Sequence, residues 1–370
     1  MTDPEKILFI SDRKYVDFHI PGGVQLCTSE YLTYLSHSGH DPIIIKLDTT
    51  KSFLKKIKIK FGLEVYDRYD FNNYTTEIVN AVKKHKIKTI ALNQINLAPL
   101  IEIVKHHLPS DVKFVGLSHG NESGDYLHDI AREKKPGIIE TWKLGRQIVL
   151  ESSFFRENFD GIIVISEHEI PINQWIGALN QLHLPRILQP GFLSWTPREK
   201  NAGFVGTLDH LPNKLGLELL CDSLKKSEFN YSINLVGGPE PEGRRLELLY
   251  PFIKYKGRLS NEQLEKEVSH WSIFLNPVFW YSRGASTKLA QAINWGIPVL
   301  STPAGKRGYI LSDETIITAS NSPTDYSKAL IEALDDQFLL DKLKMSTECN
   351  AKNFELKTWS SKLNTFIKNL

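Results

Sequence analysis

Short apolar runs alternate with segments of helical periodicity along most of the chain. The first run, residues 7–11, is typical of a buried strand, and a helical pattern follows at 26–35. Further strands are predicted at 42–47, 89–92 and 113–117, and helices at 76–85 and 97–107. Because strands that alternate with helices form parallel crossover units, this pattern predicts a doubly wound α/β sheet.

A second series of the same kind begins after residue 190. Its strands are predicted at 202–206, 232–236, 272–275 and, as the last of them, 298–301. Prolines and charged residues between 186 and 200 indicate a linker. We therefore predict two Rossmann-like doubly wound domains, 1–188 and 189–350, that face a central cleft. A closing amphipathic helix within 351–370 is expected to pack back on the first domain.

Composition is that of an ordinary globular protein. Hydrophobic residues make up 41% of the 370 positions, and 45 basic residues against 43 acidic ones give a net charge of +2, which provides no argument for a nucleic-acid partner. The widely spaced Cys27, Cys221 and Cys349 fit a reducing compartment and are expected in the core. The N-terminus is acidic and no apolar run reaches about 18 residues, so a cytoplasmic protein is predicted.

A glycine turn, a short helix and a strand follow one another between residues 284 and 302. Gly284 allows an unusual turn, and Ser286 or Thr287 can cap the helix. Helix N-terminal N–H groups attract an anion, and Lys288 adds a full positive charge beside them. The segment therefore predicts a diphosphate site, although an ordinary helix and strand of an α/β domain would show the same pattern.

Ligands of open parallel sheets bind at the carboxyl ends of the strands, so the loops after the strands are candidates. After the first strand, His19, Gly22 and Gly23 form a candidate acceptor or diphosphate loop, to which Asn121 is added from a later loop. A plain structural turn would also explain the two glycines.

A dense polar cluster, residues 118–122, directly follows the strand at 113–117. His119 is a candidate to hydrogen-bond a sugar hydroxyl, and Glu122 or Asp125 is a candidate base. A loop histidine that is merely solvated or capping is the alternative. These three residues are the predicted catalytic group.

Glycine-rich turns after the strands of the second series are candidates for nucleotide binding. The predicted donor-binding residues are Gly206, Thr207, Lys214, Gly237, Gly238, Gly257, Arg258, Tyr281, Arg283, Gly284, Ser286, Thr287, Lys288 and Gln291. No Asp-x-Asp pair and no cluster with metal-ligand spacing occurs in the sequence. We therefore predict that no metal and no cofactor is needed, and that cations and helix dipoles neutralise the diphosphate.

These residues resemble GT-B type glycosyltransferases, in particular the retaining, sugar-nucleotide-dependent group 1 family of bacterial polysaccharide synthesis. The resemblance covers Gly22 with Gly23, Gly39 with His40, residues 118–120, 205–209 and 212–213 and, most specifically, 284–302. It implies a nucleotide sugar, with a UDP-sugar expected, in the C-terminal domain. It also implies a glycan or polyprenyl-linked acceptor in the N-terminal domain.

Two positions depart from the family pattern. Where many members carry two glutamates eight positions apart, this chain has Arg283 and Gln291. The helix is also similar to that of bacterial glucuronosyltransferases. That similarity implies that Lys288 binds the diphosphate, Gln291 the nucleoside, and Arg283 either phosphate or an acidic sugar. The family resemblance implies that transfer retains the configuration of the anomeric carbon. Inversion of that configuration would need a base such as Glu122 or Asp125.

Residues 53–61 combine apolar side chains with four lysines. On a helix, Phe53, Leu54, Ile57 and Phe61 gather on one side with the lysines around them, which is typical of a surface that lies on anionic lipid and also of a solvated face. Contact with the inner face of the cell membrane would suit a polyprenyl-linked acceptor.

Two other functions fit the same fold. A nucleotide-sugar epimerase would need carboxylates around the sugar and no acceptor. A fold relative without catalysis would bind only a partner, and the missing glutamates favour this alternative.

Overall fold

The computed structural model describes residues 4–19, 22–131, 135–227, 229–280, 284–351, 354 and 356–370. The chain divides into two compact units. The first contains the described residues of 1–187, 284–285 and 356–370, and the second those of 188–282 and 286–355.

The first unit is an α/β unit with a parallel sheet. Its strands are β1 (Glu5–Asp12), β2 (His40–Leu47), β3 (Thr89–Asn93), β4 (Lys113–Leu117), β5 (Gly161–Val164) and β6 (Gln181–His183). Its first seven α-helices are α1 (Gly23–His37), α2 (Phe53–Lys60), α3 (Thr75–His85), α4 (Pro99–Val104), α5 (Glu122–Ala131), α6 (Ile138–Ser153) and α7 (Glu169–Trp175). Short 3-10 helices lie at Arg13–Val16, Phe71–Tyr74, Ile95–Leu97 and Lys105–His107, and a π-helical turn at Phe154–Asn158.

The strands of the first sheet pair in the order β2-β1-β3-β4-β5-β6, all parallel. Ile7, Leu8, Phe9 and Ile10 are completely buried, because helices cover both faces of the sheet and leave no solvent side. Since β1 lies between β2 and β3, the chain reverses its winding direction there. The carboxyl ends of β1 and β3 therefore mark the topological switch point, where such sheets bind ligands.

The second unit has the same architecture. Its strands are β7 (Asn201–Thr207), β8 (Ser232–Gly238), β9 (Ile253–Gly257), β10 (Ile273–Asn276), β11 (Val299–Ser301) and β12 (Ile317–Thr318). Its helices are α8 (Leu211–Lys226), α9 (Glu240–Leu249), α10 (Asn261–Val268), α11 (Thr287–Trp295), α12 (Pro303–Lys306), α13 (Pro323–Asp335) and α14 (Gln337–Ala351). The last helix of the chain, α15 (Leu356–Lys368), belongs to the first unit.

The second sheet has the strand order β9-β8-β7-β10-β11-β12, all parallel. Read from β7, this is the order of dinucleotide-binding Rossmann sheets, and its switch point lies between β7 and β10. Phe204, Leu235 and Phe274 on these strands are completely buried. The predicted doubly wound α/β class is confirmed for both units.

Helix α15 packs on the first sheet and on α1. A Cβ atom on Gly161 of β5 would lie 2.8 Å from Cζ of Phe366 and 3.0 Å from Cδ2 of Leu370. Glycine at this position therefore lets the C-terminal residues lie directly on the strand. The face of β5 is covered by residues from the opposite end of the chain.

Some elements differ from the prediction. β5, β6, β9 and β12 were not predicted, because they are short or, in β9, alternate apolar residues with lysines. The prediction that the strand at 298–301 is the last one is wrong, since β12 pairs with β11. The expectation of a buried Cys349 is also wrong, because this residue lies on the exposed side of α14, whereas Cys27 and Cys221 are buried.

Candidate functional site

Glycines end two neighbouring strands at the carboxyl edge of the second sheet. Gly206 pairs with Gly237, and Thr207 with Gly238. Gly237 has a φ of +141°, and a Cβ atom on it would overlap the carbonyl oxygen of Gly206. Only glycine fits this close approach, so this edge presents backbone rather than side chains.

A pocket of about 320 Å³ adjoins these glycines; its lining residues are Glu240, Arg244, Tyr255, Lys256, Gly257 and Arg258. The hydroxyl of Tyr255 donates to the carbonyl oxygen of Gly237 at 2.9 Å, and the guanidinium carbon of Arg244 lies 5.3 Å from the centre of the Tyr255 ring. A Cβ atom on Gly238 would overlap Nε of Arg258. The pocket therefore combines backbone, an aromatic ring and cations, which together suit a flat, anionic ligand.

Helix α11 begins as the sequence predicts. Gly284 has a φ of +68°, and Oγ of Ser286 accepts a hydrogen bond from the backbone N–H of Leu289 at 3.3 Å. The hydroxyl of Tyr309 donates to the carbonyl oxygen of Ser286 at 3.0 Å, which fixes the start of the helix. The remaining N–H groups of the first turn have no acceptor within the helix and can serve an anion.

Lys288 lies in this first turn and is partly buried. Its Nζ donates to Oδ1 of Asn213 and lies 4.6 Å from the centre of the Phe204 ring. Nδ2 of Asn213 in turn donates to the carbonyl oxygen of Thr207 at 2.7 Å. Burial and, second, the charge of Arg307 lower the pKa of Lys288 to about 7. A bound anion would favour the charged form of this amine.

The other predicted donor residues are more scattered. Lys214 has its Nζ 3.8 Å from Oε1 of Glu242, and Thr287 and Gln291 are exposed on α11. Gly284 is grouped with the first unit, where a Cβ atom on it would lie 3.0 Å from the carbonyl oxygen of His119. Tyr281 and Arg283 lie outside the described residues.

A polar cluster occupies the switch point of the first sheet. Nε2 of His119 lies 2.7 Å from Oδ1 of Asn93, whose Nδ2 donates to Oγ of Ser11 at 2.8 Å and to Oγ1 of Thr28 at 2.9 Å. Because Asn93 accepts this bond, Nε2 of His119 carries the proton. The His119 ring also meets the Tyr31 ring edge-on at 5.6 Å. These contacts hold the predicted catalytic histidine in one orientation.

The residues after His119 begin α5. Oδ1 of Asn121 accepts from the backbone N–H of Gly124 at 2.7 Å, which caps the helix, and its Nδ2 donates to Oδ1 of Asn173 at 2.9 Å. Asn121 therefore has a structural role here. Glu122 and Asp125 lie in the first turn of α5 and are partly exposed, so a role as base stays a prediction for both.

The predicted loop after β1 is described only in part, because residues 20 and 21 lie outside the described residues. His19 is exposed, and its backbone N–H lies 3.3 Å from the accepting Oδ1 of Asp17. Gly22 precedes α1 in an extended conformation, and Gly23 is the first residue of that helix. Contact of this loop with a substrate stays a prediction.

The second unit matches the family model "Glycosyl transferases group 1" over residues 199–336. This range contains the paired glycines, the 320 Å³ pocket, Asn213 and Lys288. The chain carries a group 1 glycosyltransferase domain. The predicted enzyme class, glycosyltransferase, is thereby confirmed.

Solved structures of glycosyltransferases have the same fold over nearly the whole chain. Sucrose-phosphate synthase from Thermosynechococcus elongatus aligns with a TM-score of 0.67 at 15% identity, covering 99% of this chain and 98% of that one. HepE from Anabaena, solved with UDP and glucose, aligns with a TM-score of 0.63 at 12% identity, covering 99% of this chain and 100% of that one. The lipopolysaccharide outer core galactosyltransferase WaaB aligns with a TM-score of 0.62 at 12% identity, with the same coverage of both chains. These likenesses confirm the GT-B fold. No curated protein sequence matches the chain significantly.

The described residues of the glycosyltransferase lack two features. None of the helices described is long and apolar enough to cross a membrane. In the same part of the chain, His, Cys, Asp and Glu side chains do not gather in a group of three or more that could hold a metal ion.

A buried carboxylate that the sequence patterns did not single out supports the start of α5 in this glycosyltransferase. Glu151 on α6 is 1% exposed. Its Oε1 accepts from the Tyr66 hydroxyl at 2.5 Å and from the backbone N–H of Ser123 at 3.1 Å, and its Oε2 accepts from Oγ of Ser123 at 2.6 Å. Burial raises the pKa of Glu151 to about 7 despite these hydrogen bonds.

Glu151→Gln is expected to reduce the pH dependence of stability between about pH 4.5 and pH 7. A carboxyl group whose pKa is higher in the folded than in the unfolded state contributes stability below the unfolded pKa. That contribution is lost as pH rises through 7, and its size is on the order of 1–3 kcal/mol. Urea unfolding at pH 5 and pH 8 measures it. The exposed Glu77→Gln is the control, and a wild-type pH response in Glu151→Gln would contradict the prediction.

Proposed function

We propose that this glycosyltransferase moves a sugar from a nucleoside-diphosphate donor to a glycan or lipid-linked acceptor. One observation carries the proposal. The amine of Lys288 is held by Asn213 at the carboxyl end of β7, beside the first turn of α11 and at the switch point of a Rossmann-type sheet. A diphosphate bound there would be balanced by Lys288, by the charge of Arg307 and by the N–H groups of the helix.

The nucleoside is proposed to bind in the 320 Å³ pocket. Its base would lie against the Gly237 and Gly238 backbone, with Tyr255 and Arg258 beside it. Gln291, on the exposed side of α11, is proposed to reach the nucleoside. HepE, which shares the fold, was solved with UDP and glucose, and this supports a UDP-sugar as the expected donor.

For the transfer itself we propose that the configuration of the anomeric carbon is retained and that no metal takes part. The bond between the anomeric carbon and the diphosphate oxygen breaks, and a bond from the acceptor oxygen to the same face of that carbon forms. The acceptor proton passes to the leaving diphosphate, so the protein must position rather than supply a base. Lys288 would stabilise the negative charge that develops on the diphosphate.

The acceptor is proposed to bind at the first unit, with His119 at a sugar hydroxyl. A polyprenyl-linked acceptor in cell-surface polysaccharide synthesis would place the enzyme at the inner face of the cytoplasmic membrane. Residues 53–61 are proposed to contact that membrane, since Phe53 and Leu54 on α2 are 74% and 71% exposed.

A binding panel of UDP, GDP, dTDP and CMP with their common sugars, in the presence of EDTA, tests the donor site. UDP is expected to bind with a micromolar Kd. At a hundredfold excess over Kd it should stabilise the protein by about 2.7 kcal/mol in thermal unfolding. The diphosphate site would be overturned if none of the nucleotides bound, or if only the monophosphate CMP bound.

Incubation with a UDP-sugar and candidate acceptors then separates transfer from the other functions. Transfer predicts UDP release that depends on the acceptor. An epimerised nucleotide sugar without UDP release would overturn transfer in favour of epimerisation. Nucleotide binding without turnover on any acceptor would favour a fold relative that has lost catalysis.

A further inference from the structure

Helix α6 carries one stripe of exposed apolar side chains, although it also has buried polar residues. Ile138, Trp142 and Val149 are 90%, 54% and 64% exposed, whereas Gln147 and Glu151 are the buried residues of the helix. The three apolar residues fall at positions i, i+4 and i+11 and share one stripe. Ile148 and Leu150 of the same helix are partly buried against the core. The stripe itself is exposed, which makes it a candidate contact surface for a partner.

The stripe lines an open hollow on the surface of the first unit. Gly145 lies between Trp142 and Val149 on the same face and fills little space. The hollow has a volume of about 650 Å³ and is lined by the stripe together with Pro136, Thr141 and Arg146. Such a hollow can receive hydrocarbon, because its walls are mainly apolar.

The end of α2 continues the stripe of α6. A Cβ atom on Gly62 would lie 3.1 Å from Cα of Lys143, and Nη2 of Arg146 donates to the carbonyl oxygen of Leu63 at 3.3 Å. Phe61 and Leu63, on either side of Gly62, are 50% and 54% exposed. The apolar surface therefore runs from α6 onto the segment that follows α2.

Cations lie near this apolar surface, together with the carboxylate of Glu140 on α6. Lys143 and Arg146 lie on α6, and Lys56 and Lys60 are exposed on α2. The nearby carboxylates of Glu64 and Asp67 already pair with other lysines, Lys58 at 2.6 Å and Lys55 at 2.8 Å. Exposed aliphatic and tryptophan side chains with cations beside them are the combination that binds the interface of an anionic bilayer.

We propose that the α6 stripe, continued by Phe61 and Leu63, inserts into the interface of an anionic membrane. Residues 53–61, proposed above as the contact, adjoin this stripe and add the exposed Phe53 and Leu54 together with their lysines. The inference rests on the proposed function only for the lipid-linked acceptor, because the membrane contact itself involves no donor and no transfer.

Sedimentation with lipid vesicles tests the insertion. The full chain should bind vesicles of phosphatidylcholine with 30% phosphatidylglycerol at least tenfold more tightly than vesicles of phosphatidylcholine alone. The double variant Ile138→Ser, Trp142→Ser should lose at least tenfold of this binding. Both side chains are exposed, so the variant should fold, which thermal unfolding checks. Leu248→Ser, which changes an 86% exposed leucine of the second unit, is the matched control.

Three results would overturn the inference. These are wild-type binding by the double variant, equal loss in Leu248→Ser, and a dimer in solution that the double variant abolishes while neither protein binds vesicles. UDP binding, measured in parallel by calorimetry, separates this inference from the proposed function. Vesicle binding without UDP binding would support the membrane surface and refute the donor site. UDP binding without vesicle binding would support the donor site and refute the membrane surface.

Discussion

Replacing Lys288 with methionine is expected to lower kcat/KM for the nucleotide-sugar donor about a hundredfold, which corresponds to about 2.7 kcal/mol of transition-state stabilisation. Methionine keeps the apolar stem against the Phe204 ring but removes the charge that faces Asn213. Initial rates of UDP release measure the effect. Lys225→Met, at the exposed C-terminal turn of α8, should have wild-type activity. Equal kinetics of the two variants would show that Lys288 does not face the diphosphate.

Proton uptake gives a second test of the same residue. With a pKa of about 7, Lys288 is half protonated at neutral pH in the free protein. A diphosphate raises this pKa, so binding should take up about half a proton at pH 7 and more at pH 8. UDP affinity should therefore fall as pH rises above 7. Calorimetry in HEPES and Tris, which differ in ionisation enthalpy, counts the protons, and Lys288→Met should abolish the difference.

Gly237→Ala is expected to destabilise the second unit by about 3 kcal/mol or more, because backbone strain and overpacking add at this position. The residue has a φ of +141°, and a Cβ atom would overlap the carbonyl oxygen of Gly206. Relief of the overlap would separate the ends of β7 and β8, so UDP binding should also be lost.

Urea unfolding and UDP calorimetry on Gly237→Ala measure these effects. The control is Gly191→Ala, since among the described residues nothing lies within 4 Å of a Cβ atom on Gly191, and its φ is not in the left-handed region. Stability and UDP affinity within error of wild type in Gly237→Ala would contradict the close approach of the two strands.

Local signals in the sequence predicted the elements around α11 well. The turn at Gly284, the cap at Ser286 and the buried face with Leu289 each depend on neighbours within a few positions, and each is confirmed. The missed strands show the limit of such signals. β12 is only two residues long, and its assignment as a strand depends on pairing with β11, which no local pattern reveals.

Contacts between distant residues account for what the sequence did not reveal about the candidate site. The sequence predicts Lys288 from its place in the helix, but its partner Asn213 is 75 positions away. His119 was likewise predicted from its place after a strand. Its partner Asn93 is 26 positions earlier, at the end of β3, and the predicted strand stopped one residue before it. The three-dimensional fold is needed to pair them.

The packing of Phe366 and Leu370 against Gly161 has a consequence for synthesis on the ribosome. In the order of the chain, the second unit is an insertion between two parts of the first. The sheet of the first unit is translated before the second unit, but the side chains that cover β5 emerge after it. The first unit therefore cannot be completed before residues 356–370 have been translated, and β5 lacks these covering side chains while the second unit is being made.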